Sequence, residues 1–149
     1  MTEQEKLKDM FETFSFEIIE DYKDVTLLIK RDSSIVSIFG KKHYDEIIRK
    51  LEKLRKLSSK LDPRSVKTDG PLEKDVADLF VSAQNIFNKL CDSQLELQRL
   101  LRQKAKRERK VKMSECSEHM HNINEMTEAL RNSLRNLDIR WADFLEEIE

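Results

Sequence analysis

Three side chains of metal-ligating type lie close together in the C-terminal half of the sequence: Cys116, His119 and His121. Thiolate and imidazole are ligands that zinc prefers, and zinc sites hold them in a tetrahedral arrangement. On a helix, residues 116 and 119 are neighbours, but residue 121 points about 140° away from residue 116. No second ligand pair with zinc spacing accompanies them. We therefore expect neither a metal site nor a cofactor.

A run of seven basic side chains spans residues 102–112, where Glu108 is the one acid and the net charge is +6. The basic residues are Arg102, Lys104, Lys106, Arg107, Arg109, Lys110 and Lys112. Clustered Arg and Lys can bind the phosphates of nucleic acids or anionic lipids. Proteins that bind single strands usually add aromatic side chains for base stacking, and the sequence has none between Phe87 and Trp141.

The acidic stretch that follows suggests a second interpretation of the basic run. Residues 114–149 contain nine acids and three arginines, a net charge of −6. Opposite charges on neighbouring helices select orientation and partner. We predict that residues 102–112 pair with residues 115–149, or with an acidic partner, and that this pairing fixes an antiparallel arrangement.

Aromatic and large aliphatic residues near the two ends of the sequence are the predicted partner-binding positions. Aromatic residues at helical spacing mostly face a core, but Phe16 is off the stripe of Phe11 and Phe14. Aromatic side chains also dominate the energetics of interfaces. The predicted positions are Phe11, Phe14, Phe16, Leu130, Leu134, Leu137, Trp141, Phe144 and Ile148.

Catalytic signatures do not occur in the sequence. It contains no Gly-rich phosphate loop, no GxSxG, no HExxH and no strand pattern on which such motifs would lie. Its many carboxylates recur as helical neighbours of Lys and Arg, as expected on exposed faces. We therefore expect a protein that is not an enzyme.

The elements that position these residues are predicted to be long helices. Charged residues and hydrophobic residues each make up 38% of the chain, with two Gly and two Pro, which is typical of coiled coils. Apolar steps of three and four from Leu7 predict a helix over roughly residues 3–30. Asp32, Ser33 or Ser34 could then cap a second helix, whose apolar stripe runs from Ile35 to Leu61.

Proline and glycine predict a loop at residues 62–71, because Asp62–Pro63 and Gly70–Pro71 disfavour helix. The apolar seam from Val76 to Leu101 follows a heptad pattern, and the seam from Cys116 to Ile148 is one residue out of phase with it. This one-residue shift in phase between the two seams predicts either one very long helix or a helical hairpin. In a hairpin, residues 112–118 would form the joint, with Ser114 or Ser117 as the cap.

The predicted organisation is therefore all-α, with amphipathic or coiled-coil helices in three parts. They are an N-terminal helical pair (1–61), a linker loop (62–71) and a heptad-patterned region (72–149) with a basic interruption at 102–112. The chain lacks an apolar run of about 20 residues and a hydrophobic signal core. Cys91 and Cys116 are predicted to be reduced. We expect an intracellular protein, cytoplasmic and cytoskeleton-associated or nuclear, neither secreted nor transmembrane.

Two short segments, KLDPRS at 60–65 and RWADFLEEIE at 140–149, resemble features of the small helical subunit of dynactin, a cytoskeletal motor cofactor. The resemblance assigns no role to any residue. We expect a non-catalytic coiled-coil scaffold subunit of a larger complex, of cytoskeletal, kinetochore, tethering or meiotic type. Its partners would be other helical proteins, in a hetero- or homo-oligomer. The alternative is a helical module that binds nucleic acid or an anionic membrane through residues 102–112.

Overall fold

The structure, a computed structural model, describes residues 1–32 and 43–148. A π-helical turn, Thr13–Ile18, joins the first two α-helices, and a 3₁₀ turn, Pro63–Ser65, precedes the fourth. The described residues contain no β-strand, so the prediction of an all-α protein is confirmed. The α-helices are α1 (Glu3–Glu12), α2 (Ile19–Asp32), α3 (Tyr44–Lys60), α4 (Pro71–Ala105) and α5 (Met113–Ile148).

Local sequence explains where α1 and α4 begin. The Thr2 hydroxyl accepts the Glu5 N–H at 3.1 Å, and the Glu5 carboxylate accepts the Thr2 N–H at 3.1 Å. This reciprocal pair forms a capping box, which satisfies two backbone donors that a helix start leaves unpaired. Helix α4 follows the extended Gly70 and places Pro71 in its first turn, where the missing N–H costs nothing.

The π-helical turn lets α1 and α2 continue as one long rod. Its hydrogen bond joins the Ile19 N–H to the Phe14 carbonyl, five residues earlier, so the turn holds one residue more than an α-helical turn. Both Ile18 and Ile19 are buried, because the wider winding brings two consecutive residues toward the core. Together the three segments form the first helix that the sequence predicts.

Asp32 joins the end of α2 to the start of α3 through hydrogen bonds to His43. Its carboxylate accepts the His43 N–H at 2.7 Å, and His43 Nδ1 lies 2.8 Å from the other carboxylate oxygen. Asp32 is the last residue of α2, and His43 directly precedes α3. Asp32 therefore does not hold the predicted N-cap position of the next described helix, which His43 occupies. The alternative caps, Ser33 and Ser34, and the stripe residues between 35 and 42 lie outside the described residues.

Helix α4 is the central helix of the bundle, and α1 and α2 run parallel to it. Gln4 Nε2 donates to Glu73 near the start of both rods, at 2.7 Å. Further along, Gln94 Nε2 donates to the Tyr22 hydroxyl at 3.3 Å. The predicted seam on α4 faces this core, since its residues from Val76 to Leu97 are buried.

Helices α3 and α5 run antiparallel to α4. Arg102 at the end of α4 meets Asp45 at the start of α3, with 2.6 Å between Nε and Oδ1. Arg140 near the end of α5 meets Asp75 near the start of α4, with 2.7 Å between Nε and Oδ2. The helical rods therefore alternate in direction along the chain, and both ends of the bundle are built from several helices.

Aromatic rings fill the core between α1, α4 and α5. The Phe11 ring stacks on the Trp141 ring with 3.9 Å between centroids, and Trp141 lies 4.9 Å from the Phe144 ring. On the other side, Phe14 lies 5.3 Å from the Phe80 ring. Such ring pairs add about 0.5–1.5 kcal/mol each to the gain from burial. These contacts bring segments 130 residues apart in sequence into one core.

Candidate functional site

The turn between α4 and α5 is made by the basic segment. Helix α4 ends at Ala105, and Arg107 adopts a left-handed conformation with φ of 54°. The Arg107 N–H donates to the Lys104 carbonyl at 3.2 Å, and the Glu108 N–H donates to the Gln103 carbonyl at 3.0 Å. These two bonds form a Schellman motif, which terminates a helix and usually places Gly at the left-handed position. We call residues 102–112 the basic turn.

The start of α5 corrects the predicted position of the joint. The chain turns at residues 106–112, not 112–118, and α5 begins at Met113. The Glu115 carboxylate accepts the Lys112 N–H at 2.9 Å, which is half of a capping box. Ser114 and Ser117 lie inside α5, and the Ser117 hydroxyl donates to the Met113 carbonyl at 3.0 Å instead of capping the helix.

Three basic side chains of the turn have carboxylate partners. Arg102 and Lys106 lie 2.6 and 3.9 Å from Asp45, and Arg109 lies 3.4 Å from Glu115. The Lys112 N–H is the main cause that lowers the pKa of Glu115, and Arg109 adds to it. Within the described residues, Glu115 is the one member of the predicted acidic stretch that meets the basic turn.

The other four basic side chains of the turn are exposed. Among the residues that the structure describes, none of these four has a carboxylate within 4.0 Å. They are Lys104, Arg107, Lys110 and Lys112. The turn therefore presents unneutralised positive charge to solvent at one end of the bundle.

The predicted partner-binding residues fall into two environments. Six are buried in the core: Phe11, Phe14, Leu130, Leu137, Trp141 and Phe144. Of these, the Phe11 and Trp141 rings stack across helices. Leu134 and Ile148 are partly buried. Phe16 is 67% exposed. While the chain keeps this conformation, the six core residues are closed to a partner, whereas Phe16 is open to one.

Phe16 lies on an outward face of the first rod. Leu27, which is 62% exposed, follows eleven residues later, or about three helical turns. Between them Lys23 pairs with Glu20 at 3.0 Å. We call these four residues the Phe16 face. Sequence reasoning missed Leu27, although its spacing from Phe16 was a usable signal.

The residues that suggested metal or thiol chemistry are held apart or buried. His119 lies 3.4 Å from Glu96, and His121 lies 3.1 Å from Glu125. Within residues 1–32 and 43–148, no three His, Cys, Asp or Glu side chains are grouped to hold a metal ion. Burial, with a smaller effect of Asp92, raises the pKa of the Cys91 thiol to about 12. This thiol is therefore protonated near neutral pH and is a poor nucleophile.

None of the helices in the described part of the chain combines the length and the apolar character needed to cross a membrane. Comparisons of the chain with protein-family models, with curated proteins and with solved structures give no match. Among the described residues, the Phe16 face is a candidate surface for a protein partner, and the basic turn is a candidate surface for an anionic one.

Proposed function

We propose that the protein is a non-catalytic helical subunit that assembles with other helical proteins in a larger intracellular complex. The observation that carries this proposal is Phe16, an aromatic side chain on an outward helix face. Its ring meets the Phe11 ring edge to face, with 6.5 Å between centroids. Because Phe11 is itself stacked on Trp141, the exposed ring is held in place before a partner arrives. Such preorganisation lowers the entropy lost on binding.

The shape of the Phe16 face suits a partner helix. Phe16 and Leu27 are about three turns apart on one side of the rod, so a helix lying along it would cover both. The Glu20–Lys23 pair between them would give the interface a polar component. Recognition of this kind uses a few apolar anchors along one face. Scaffolds of the cytoskeletal, kinetochore, tethering or meiotic type are built from such helical contacts, in hetero- or homo-oligomers.

Replacing Phe16 with glutamate tests this proposal. We expect Phe16→Glu to keep its helical circular dichroism, because the side chain is exposed, and to recover partner proteins at least tenfold less well. Loss of a central aromatic anchor has this size of effect, about 1.4 kcal/mol or more. The measurement is affinity purification with quantitative mass spectrometry.

Ile139→Glu is the matched control, since Ile139 is 59% exposed on α5 and the substitution adds the same charge. We expect this control to recover the same proteins as the wild type. Equal recovery by Phe16→Glu and the wild type would contradict the proposal, and so would a loss confined to Ile139→Glu.

A second candidate function is binding of nucleic acid or an anionic membrane through the basic turn. It is favoured by Lys104, Arg107, Lys110 and Lys112, which are exposed and have no carboxylate within salt-bridge distance among the described residues. If all four contact phosphates of duplex DNA, log K should fall against log salt with a slope of about −3.6. The triple variant K104E/R107E/K110E should abolish binding to DNA and to anionic vesicles. A slope near zero would contradict this candidate.

A further inference from the structure

The two ends of the bundle carry opposite charge. The starts of α1 and α4 meet the end of α5 at one end, as the Gln4–Glu73 and Arg140–Asp75 contacts show. We call residues 1–12, 67–78 and 138–148 the acidic end. They contain twelve acidic and five basic side chains, a net charge of −7.

The opposite end is positive. There the end of α2, the start of α3 and the basic turn meet, as the Asp32–His43 and Arg102–Asp45 contacts show. We call residues 27–32, 43–50 and 102–121 the basic end. They contain eleven basic and six acidic side chains, a net charge of +5.

The chain cannot neutralise one end with the other. Helix α5 runs from one end to the other, and its stretch between His121 and Asp138 rises roughly 25 Å at 1.5 Å per residue. Charges interact in solution over a Debye length of about 8 Å at physiological salt. At physiological salt the two ends therefore interact little within one molecule.

Both ends also present unpaired charged side chains. Among the described residues, those at the basic end include Lys104, Arg107, Lys110 and Lys112. At the acidic end Asp78, Glu146 and Glu147 are exposed, and among the described residues none of them has a basic group within 4.0 Å. Each end also has an apolar side chain beside its charges. Met113 is 66% exposed at the basic end, and Ile148 is partly buried at the acidic end.

We propose that the basic end of one copy docks on the acidic end of a second copy, so that the chains associate head to tail. The argument is charge complementarity: one chain carries both surfaces, with net charges of opposite sign and similar size. A head-to-tail interface joins two different patches, so it closes into a ring or continues as a filament. The inference goes beyond the proposed function, which rests on the Phe16 face and assigns no role to the two charged ends.

The first test measures association of the wild type and two triple reversals by sedimentation velocity. At about 0.01 M salt, where the Debye length is about 30 Å, the wild-type mass should rise with concentration, and about 1 M salt should return it to the monomer. Reversal of the basic end (K104E/R107E/K110E) or of the acidic end (D78K/E146K/E147K) should weaken association at least about tenfold. Circular dichroism verifies that each variant is folded.

The matched control is K53E/K56E/K89E, which reverses three exposed lysines between the two ends. Each reversal changes the net charge by two, so this control and the basic-end variant both go from −1 to −7. We expect the control to associate like the wild type. If it is as weak as the basic-end variant, general repulsion explains both and the proposal is overturned.

The second test is zero-length cross-linking with a carbodiimide. Head-to-tail docking should produce links from Lys104, Lys110 or Lys112 to Asp78, Glu146 or Glu147. The lengths of α4 and α5 keep these side chains too far apart to be linked within one copy, so such links report on two copies. A wild type that stays monomeric at low salt, or that lacks these links, would overturn the proposal. Neither result would contradict the proposed function, because the Phe16→Glu test measures binding to other proteins. Binding of the monomer to anionic vesicles or DNA that is lost in K104E/R107E/K110E would also overturn the head-to-tail proposal, and would identify a phosphate surface as the occupant of the basic end.

Discussion

Replacing Trp141 with alanine is expected to lower the free energy of unfolding by about 3–5 kcal/mol. Trp141 is 7% exposed, and its ring stacks on Phe11 and lies beside Phe144. Truncation removes both ring contacts and leaves a cavity between α1 and α5. The chain has a single Trp, so urea unfolding should be followed by far-ultraviolet circular dichroism rather than by fluorescence.

The control for this truncation is Ile139→Ala, two residues away on α5. Because Ile139 is mostly exposed, its truncation should change the free energy of unfolding by no more than about 0.5 kcal/mol. If Trp141→Ala costs less than about 1 kcal/mol, the packing of α5 against α1 described above is incorrect.

Replacing Gln84 with leucine is expected to lower the free energy of unfolding by about 2–3 kcal/mol. The buried Gln84 amide on α4 donates from Nε2 to the Ser58 carbonyl at 2.5 Å and to the Leu61 carbonyl at 2.7 Å. These carbonyls lie at the end of α3, where a helix leaves its last acceptors short of donors. The Ser58 carbonyl also accepts the Leu61 N–H at 3.2 Å, so the Gln84 amide is its second donor. Leucine fills a similar volume but donates no hydrogen bond. Urea unfolding measures the loss, and hydrogen exchange should show faster opening of the last turn of α3.

Gln94→Leu is the matched control for that substitution. Gln94 is also a buried glutamine on α4, but its amide makes one hydrogen bond, to the Tyr22 hydroxyl at 3.3 Å. We expect this variant to lose about 1 kcal/mol. Equal losses at the two positions, or a gain in stability from Gln84→Leu, would show that the amide of Gln84 does not cap α3.

Apolar spacing predicted which residues face the core but not which faces meet. The stripe from Leu7 to Val25 and the seam from Val76 to Leu97 are largely buried, as the period of an amphipathic helix requires. Periodicity carries no information about partners distant in sequence. For that reason the contact between Phe11 and Trp141 cannot be predicted from spacing, and the sequence pattern places both among the partner-binding positions.

The turn was misplaced because its chemistry is unusual. Residues 72–149 contain neither Gly nor Pro, the two residues that normally mark a turn. The left-handed position of the Schellman motif is held by Arg107, and a left-handed conformation is uncommon for a residue other than Gly. The loss of large apolar residues across 102–112 was the available signal, and it coincides with the turn. Ser114 and Ser117 suggest a helix cap, but both lie inside α5, after its start at Met113.

The π-helical turn at Thr13–Ile18 also bears on how this chain can change length. A ring closed by an i to i+5 bond contains one residue more than an α-helical ring. Deleting one residue there would let the helix close to ordinary α winding without opening a gap. Elsewhere in a packed helix, the same deletion rotates every later side chain by about 100°. A gain or loss of one residue in this rod is thus absorbed as a change of winding, in the part of the chain that carries Phe16.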